Sequence, residues 1–208
     1  MTQLLGTTGS GRATAPLPPA ELAGLARDGL VVPVGPAWAS PAEIDDRALR
    51  LRALATLLPR DVVASGTTAA WAWHVTGAWT RPAQACVDVR GRHGIRVPGV
   101  RVSEVVLAEE DVDRTGAVPV TTRLRTALDL LRATGWTPWH RALVVRLLDD
   151  DATVGPGLQD RLAGHRRLPH ARRARGRLEG LGPAPGGSRA SDDGRRRPSR
   201  PEGRVSPR

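Results

Sequence analysis

Apolar residues recur along this chain with helical spacing in some stretches and strand spacing in others, and the switches between them outline its parts. From Pro18 to Ala39, PPAELAGLARDGLVVPVGPAWA, residues Leu22, Leu25 and Ala26 share one helical face. Pro19 near the first turn and Gly29 just past the end predict where that short helix starts and stops. Leu30–Val32 and Ala37–Ala39, joined around Pro33, Gly35 and Pro36, predict a small hairpin. A helix leading directly into a two-stranded wing is the second half of a winged helix. Its earlier helices would fall within the weakly patterned first 17 residues.

Further along, Ile44, Ala48, Leu51, Ala55 and Leu58 recur at helical spacing, and Ser40 with Glu43 reads as a capping box, predicting a helix from Pro41 to Leu58. Ser65 is placed to cap another helix that closes near Gly77. Strand-like runs at Gln84–Arg90, Ile95–Val97 and Val100–Val106, separated by Gly-rich turns, read as a meander, with Val118–Val120 as an edge strand. Thr121 or Thr122 then caps a helix bearing Leu124, Ala127, Leu128 and Leu131, with Arg125 and Asp129 at i,i+4, ending near Gly135. Thr137 and Pro138 open the next helix, with Trp139, Leu143, Val144 and Leu147 expected inward; shorter helices follow at Gly157–Gly164 and Leu168–Leu181. The fold class is therefore α+β: a degenerate N-terminal winged-helix element over residues 1–40, a mixed α/β body over 41–182, and a tail over 183–208 whose Gly, Pro, Ser and Arg residues predict disorder.

Composition changes this picture in three ways. There is no Phe and no Tyr, so Leu, Val, Ala and six Trp must build the core. All 31 basic residues are Arg, and the segment from Arg161 to Arg208 carries the whole net charge of +10, leaving residues 1–160 formally neutral. Such a basic end can grip phosphates through counterion release, or it can simply be solvated. The single Cys86 forms no internal disulfide framework and fits a reducing compartment, and no apolar stretch approaches the ~20 residues needed to span a bilayer. A cytoplasmic protein without membrane contact is the expectation.

Three stretches together resemble the AbiEi-family antitoxins of type IV toxin–antitoxin systems. Arg27 to Ala39, RDGLVVPVGPAWA, looks like the family's helix end and wing; Gly66 to Gly77, GTTAAWAWHVTG, is similar to its next helix. Val118 to Leu131, VPVTTRLRTALDLL, is the most specific, with Pro-Val-Thr, then Arg-Thr, then Leu-Asp-Leu. The resemblance covers roughly residues 20–150. It implies a non-enzymatic DNA-binding antitoxin that represses its own promoter and opposes a nucleotidyltransferase-like toxin without gripping it directly. Two departures stand out: the first helices are degraded, and the helix before the wing offers only Arg27 as a cation. Where many relatives continue into an endonuclease-like domain, this chain has its Arg/Gly/Pro/Ser tail.

No grouping of residues predicts catalysis, a cofactor or a metal. Gly6 to Gly11, GTTGSG, lacks the Lys-Ser/Thr and the preceding strand of a phosphate loop. Ser65 and His74 lie nine residues apart, about 13 Å along one helix, too far to act as nucleophile and base. The acidic runs Glu109–Asp113 and Asp149–Asp151 read as solvated charge, and His165 and His170 lack thiolate partners for zinc. Trp71 and Trp73 point about 200° apart on a helix, so one is expected in the core and the other against the wing or a partner. The nucleic-acid contacts expected are Arg27 and, in the tail, Arg195, Arg196 and Arg197. The alternative is a protein-interaction module or decayed paralogue with no specific DNA binding.

Overall fold

A computed structural model of the chain describes residues 5–6, 17–91, 94–164 and 169–181. The tail over 183–208, His165 and most of the first 16 residues, including nearly all of the GTTGSG run, lie outside the described residues. The element order is β1 (Leu5–Gly6), α1 (Pro19–Arg27), β2 (Val32–Val34), β3 (Ala37–Ala39), α2 (Arg47–Ala55), β4 (Val63–Ala64), α3 (Gly66–Ala72), β5 (Ala83–Asp88), β6 (Val100–Val105), β7 (Val112–Asp113), β8 (Val120–Thr121), α4 (Arg123–Arg132), α5 (Pro138–Asp150), α6 (Val154–Gly164) and α7 (Ala171–Glu179). The class is α+β. A three-stranded antiparallel sheet in the order β1-β3-β2 holds the wing, and a five-stranded mixed sheet in the order β6-β5-β4-β8-β7 holds the body.

α1 follows its pattern, but the first wing strand is Val32–Val34 rather than Leu30–Val32, with Pro33 opposite Trp38 instead of in the turn. Pro19 opens α1, Leu22 is buried, and Gly29 turns the chain out of the helix at φ 72°, a left-handed conformation open to Gly at little cost. The helix expected from Pro41 to Leu58 is shorter. α2 begins only at Arg47, because Asp46 supplies the cap: its Oδ1 accepts the Leu49 N–H at 2.7 Å. Ser40 accepts the Ala42 N–H instead, Glu43 pairs with Arg52, and Ile44, counted as an inward position, is 82% exposed.

Ser65 does occupy the N-cap of α3, but its side chain does not cap it. Gln84 on β5 does so: its Oε1 accepts the Thr67 N–H at 3.0 Å, while the Thr68 hydroxyl accepts the Gln84 N–H at 2.7 Å. Gly66 makes this approach possible, with φ 54° and a Cβ position only 2.0 Å from Gln84 Oε1. Gly66→Ala is therefore expected to destabilise the fold by at least about 1–2 kcal/mol, the left-handed penalty alone, with further loss as Gln84 is displaced. Urea denaturation against the parent chain measures it.

The meander does not form. β5 and β6 are parallel, in register from Ala83↔Val100 to Asp88↔Val105, so the connection between them runs back along the sheet, and Ile95–Val97 contributes no strand. Ile95 packs as a partly buried residue against the core on the way back. Nor is Val118–Val120 an edge. β8 lies between β4, to which it is parallel, and β7, to which it is antiparallel. Pattern alone could not separate these arrangements, because a short apolar strand looks the same in either direction.

Two apolar clusters meet around α3. In the first, Val34, Ala37 and Ala39 of the wing pack with Leu49, Leu51 and Leu54 of α2, with Trp71, and with Ala64, Val87 and Val120 near the sheet. In the second, Leu128 and Leu131 of α4 face Leu143 and Leu147 of α5, Leu158 and Leu162 of α6, and Ala174 of α7. α4 packs on α3, α5, α6 and α7 and is the axis of the helical half. Trp139 does not join it and is 38% exposed, since Leu143, Val144 and Leu147 already define the buried stripe of α5.

Candidate functional site

In the wing region α1 enters the β2–β3 hairpin directly, and β1 adds its third strand against β3. Arg27, in the last turn of α1, is exposed, and its Nε donates to Ala23 O at 3.4 Å. It is the one cation in residues 17–40, beside Glu21 and Asp28. Leu30 and Val32 also face outward there. Arg195, Arg196 and Arg197 lie outside the described residues.

α7 adds a second basic surface that pattern reading did not single out. Two of its four arginines are committed to the fold: Arg175 donates to Leu162 O, at the end of α6, at 2.7 Å, and Arg177 donates to Leu131 O and Ala133 O, at the end of α4, at 2.7 Å each. These cations satisfy carbonyls that a helix C-terminus leaves open. Arg177 also lies 4.8 Å from the Trp136 ring, which stacks on His140. Arg172 and Arg173 point to solvent. The signal was present in ARRARGRLE, where Ala171, Ala174 and Leu178 mark the inward side.

Beneath the sheet's other end lies a buried ion network. Arg125 donates to Asp111 at 2.6 Å, to Asp129 at 2.9 Å and to Val106 O at 3.0 Å. Arg161 reaches Asp111 at 2.8 Å, and Arg132 reaches Asp129 at 3.4 Å. The Arg125 and Asp111 side chains are 6% and 3% exposed. Asp111 is thus no solvated charge, contrary to the expectation for the acidic run; the Arg125–Asp129 pair expected at i,i+4 is present, and Asp111 completes it. Asp113 of the same run likewise holds Arg47 at 2.8 Å. Burial pushes the Asp129 carboxyl above the usual carboxylate range, against the pull of Arg125 and Arg132. Thr126 adds to this junction by bonding the Thr121 hydroxyl at 2.7 Å, tying α4 to β8.

Above the network an open groove of about 920 Å³ lies at the carboxyl ends of β5 and β6, walled by Val89, Val106 and Leu128 and by Arg125, Arg132 and Arg161. Parallel strand ends are where sheets of this kind commonly offer ligand clefts.

The remaining candidates have structural places. His74, at φ 62°, directs Nε2 to within 3.8 Å of Asp45 Oδ1. Trp71 is buried against the wing, whereas Trp73 is half-buried, with Arg47 and Arg123 4.2 and 4.6 Å from its ring and its Nε1 donating to Thr121 O. Burial pushes the Cys86 thiol up to about 12, which keeps it protonated and a poor nucleophile. Among the described residues no group of three or more His, Cys, Asp or Glu side chains is placed to hold a metal ion, and no helix is long and apolar enough to cross a membrane.

No family model and no curated protein sequence matches the chain. Among solved structures it is similar to the RV2827C protein from Mycobacterium tuberculosis, at 20% identity and a TM-score of 0.41, over 82% of this chain and 67% of that one, a likeness too low to carry an inference about fold or function.

Proposed function

We propose that this protein is an antitoxin-like transcriptional regulator that binds DNA without catalysis. In this reading it represses its own promoter and opposes a nucleotidyltransferase-like toxin as a functional partner that it does not directly grip. The observation that carries the reading is the wing: a helix entering a hairpin directly, with a third strand paired in the order β1-β3-β2 and Arg27 exposed at the helix end. It stands beside the sequence resemblance of the three stretches to AbiEi-family antitoxins. Arg27 would reach the DNA from α1. A single cation supplies little electrostatic attraction, so Arg172, Arg173 and the tail residues Arg195, Arg196 and Arg197 would supply the phosphate grip.

The two roles separate in a salt series with the full chain on its own upstream DNA and on a scrambled fragment. Arg27→Ala is expected to reduce preference for the upstream fragment. The double change Arg172→Ala, Arg173→Ala is expected to weaken binding to both fragments and make the negative slope of log K against log salt shallower by about 1–2, near 0.9 for each phosphate no longer neutralised. Equal binding to both fragments by the parent chain would remove promoter recognition from the proposal. A second reading, a protein-interaction module, is favoured by the outward Leu30, which is 59% exposed, and by the acidic balance of the wing. Absence of DNA binding at low salt would select it.

A further inference from the structure

We propose that the groove at the carboxyl ends of β5 and β6 binds a small organic anion, a carboxylate or phosphate ester carried on an apolar body, with Arg161 as its principal ionic contact. The ion network in the groove wall supplies that cation. Three guanidiniums, of Arg125, Arg132 and Arg161, share two fixed carboxylates, those of Asp111 and Asp129. Arg125 is fully engaged by both and by Val106 O. Arg161 is held less completely: one arm holds Asp111 at 2.8 Å, and the other meets Glu110 at 3.5 Å, a side chain 71% exposed. An exposed pair at that distance contributes little and is readily exchanged for another anion. The guanidinium plane of Arg161 therefore offers a weakly held edge to the groove, a geometry suited to a second, bidentate oxyanion.

The rest of the wall describes the body of the ligand. Val89 and Val106 are exposed, and with Leu128 they give the groove apolar surface beside the cation. Exposed valines at the mouth of a cleft gain by being covered, and about 920 Å³ accommodates a small molecule. Glu104, a further carboxylate in the wall, accepts the Gly94 N–H at 3.2 Å. An inorganic anion would use only the arginine, and a neutral aromatic only the valines. A molecule carrying both features uses the whole groove. The lining includes Pro169, next to the start of α7, but none of Arg27, Arg172 and Arg173, so ligand binding here is tested independently of DNA binding.

The test is calorimetric titration of the full chain with benzoate and with phenyl phosphate, with inorganic phosphate and benzyl alcohol as the half-ligands. At least one of the first two is expected to saturate, at least tenfold more tightly than either half-ligand, and whichever does so identifies the oxyanion. Three variants give signs that a mere folding defect would not. Arg161→Gln weakens binding at least tenfold. Glu110→Gln, an exposed change that removes the competing carboxylate, tightens it two- to fivefold. Val106→Glu, at a side chain 66% exposed, places a repelling charge at the mouth and weakens it at least tenfold. Lack of saturable binding by both benzoate and phenyl phosphate overturns the proposal. So does binding that none of the three variants alters, or a loss on Glu110→Gln.

Discussion

Asp111→Asn is expected to destabilise the protein by about 3–5 kcal/mol, the usual cost of breaking a buried ion network by removing one partner. Asp111 is where the network converges. Its carboxylate meets Arg125 at 2.6 Å and Arg161 at 2.8 Å, and it also accepts the Ala108 N–H at 3.3 Å, while its main chain bonds Thr122 as α4 begins. Without its charge, Arg125 keeps Asp129 but loses half of its compensation in a place where water cannot supply it. Urea denaturation monitored by Trp fluorescence measures the loss as a shift in midpoint at unchanged slope. A change below about 1 kcal/mol would mean that water reaches the site and solvates Arg125 directly. The control is replacement of Asp111 and Arg125 together by apolar residues, which is expected to cost less than the single change, since no unpaired Arg125 guanidinium is then left behind.

Trp71→Ala is expected to cost about 3–5 kcal/mol and, unlike the first change, to loosen one region more than the rest. The indole is buried on α3, meets Trp79 edge-on with ring centres 5.0 Å apart, and carries the Arg50 guanidinium 5.0 Å from its ring. The wing sits against it as well: the Cβ position of Gly35 falls 2.7 Å from the Trp71 ring, so only glycine lets the hairpin tip lie there. Arg50 reinforces the same junction, pairing with Asp45 at 2.6 Å and donating to Trp71 O and Thr76 O. Removing the ring leaves a cavity between wing and body. Amide exchange in β2 and β3 is therefore expected to accelerate more than exchange in α4, α5 and α6. Uniform acceleration would show that the wing has no independent opening and folds as one unit with the body.

In the second and third of the stretches that carry the family resemblance, Gly66–Gly77 and Val118–Leu131, the residues turn out to be mostly interior. Arg125, Thr126 and Asp129 form the network and the α4–β8 tie; Gly66 admits Gln84; Trp71 seats the wing. They specify a framework, and none presents itself to a DNA backbone. In the proposed function, DNA recognition therefore rests on Arg27 and on arginines outside the buried parts of those motifs.

Sequence alone determined what depends on short-range rules. Gly29 ends α1 because of its backbone freedom, Thr122 and Thr137 cap α4 and α5 by accepting the N–H groups of Arg125 and His140, and Arg125 meets Asp129 because helical residues four apart are neighbours. The core of Leu, Val, Ala and Trp followed from the absence of Phe and Tyr. The tertiary structure alone decided what depends on partners distant in the chain. It set β5 and β6 parallel, placed β8 inside the sheet, and turned Asp111 from a surface acid into the centre of a network. A strand's direction and a carboxylate's burial are fixed by which other segment arrives beside them, and no local pattern of apolar and polar residues encodes that.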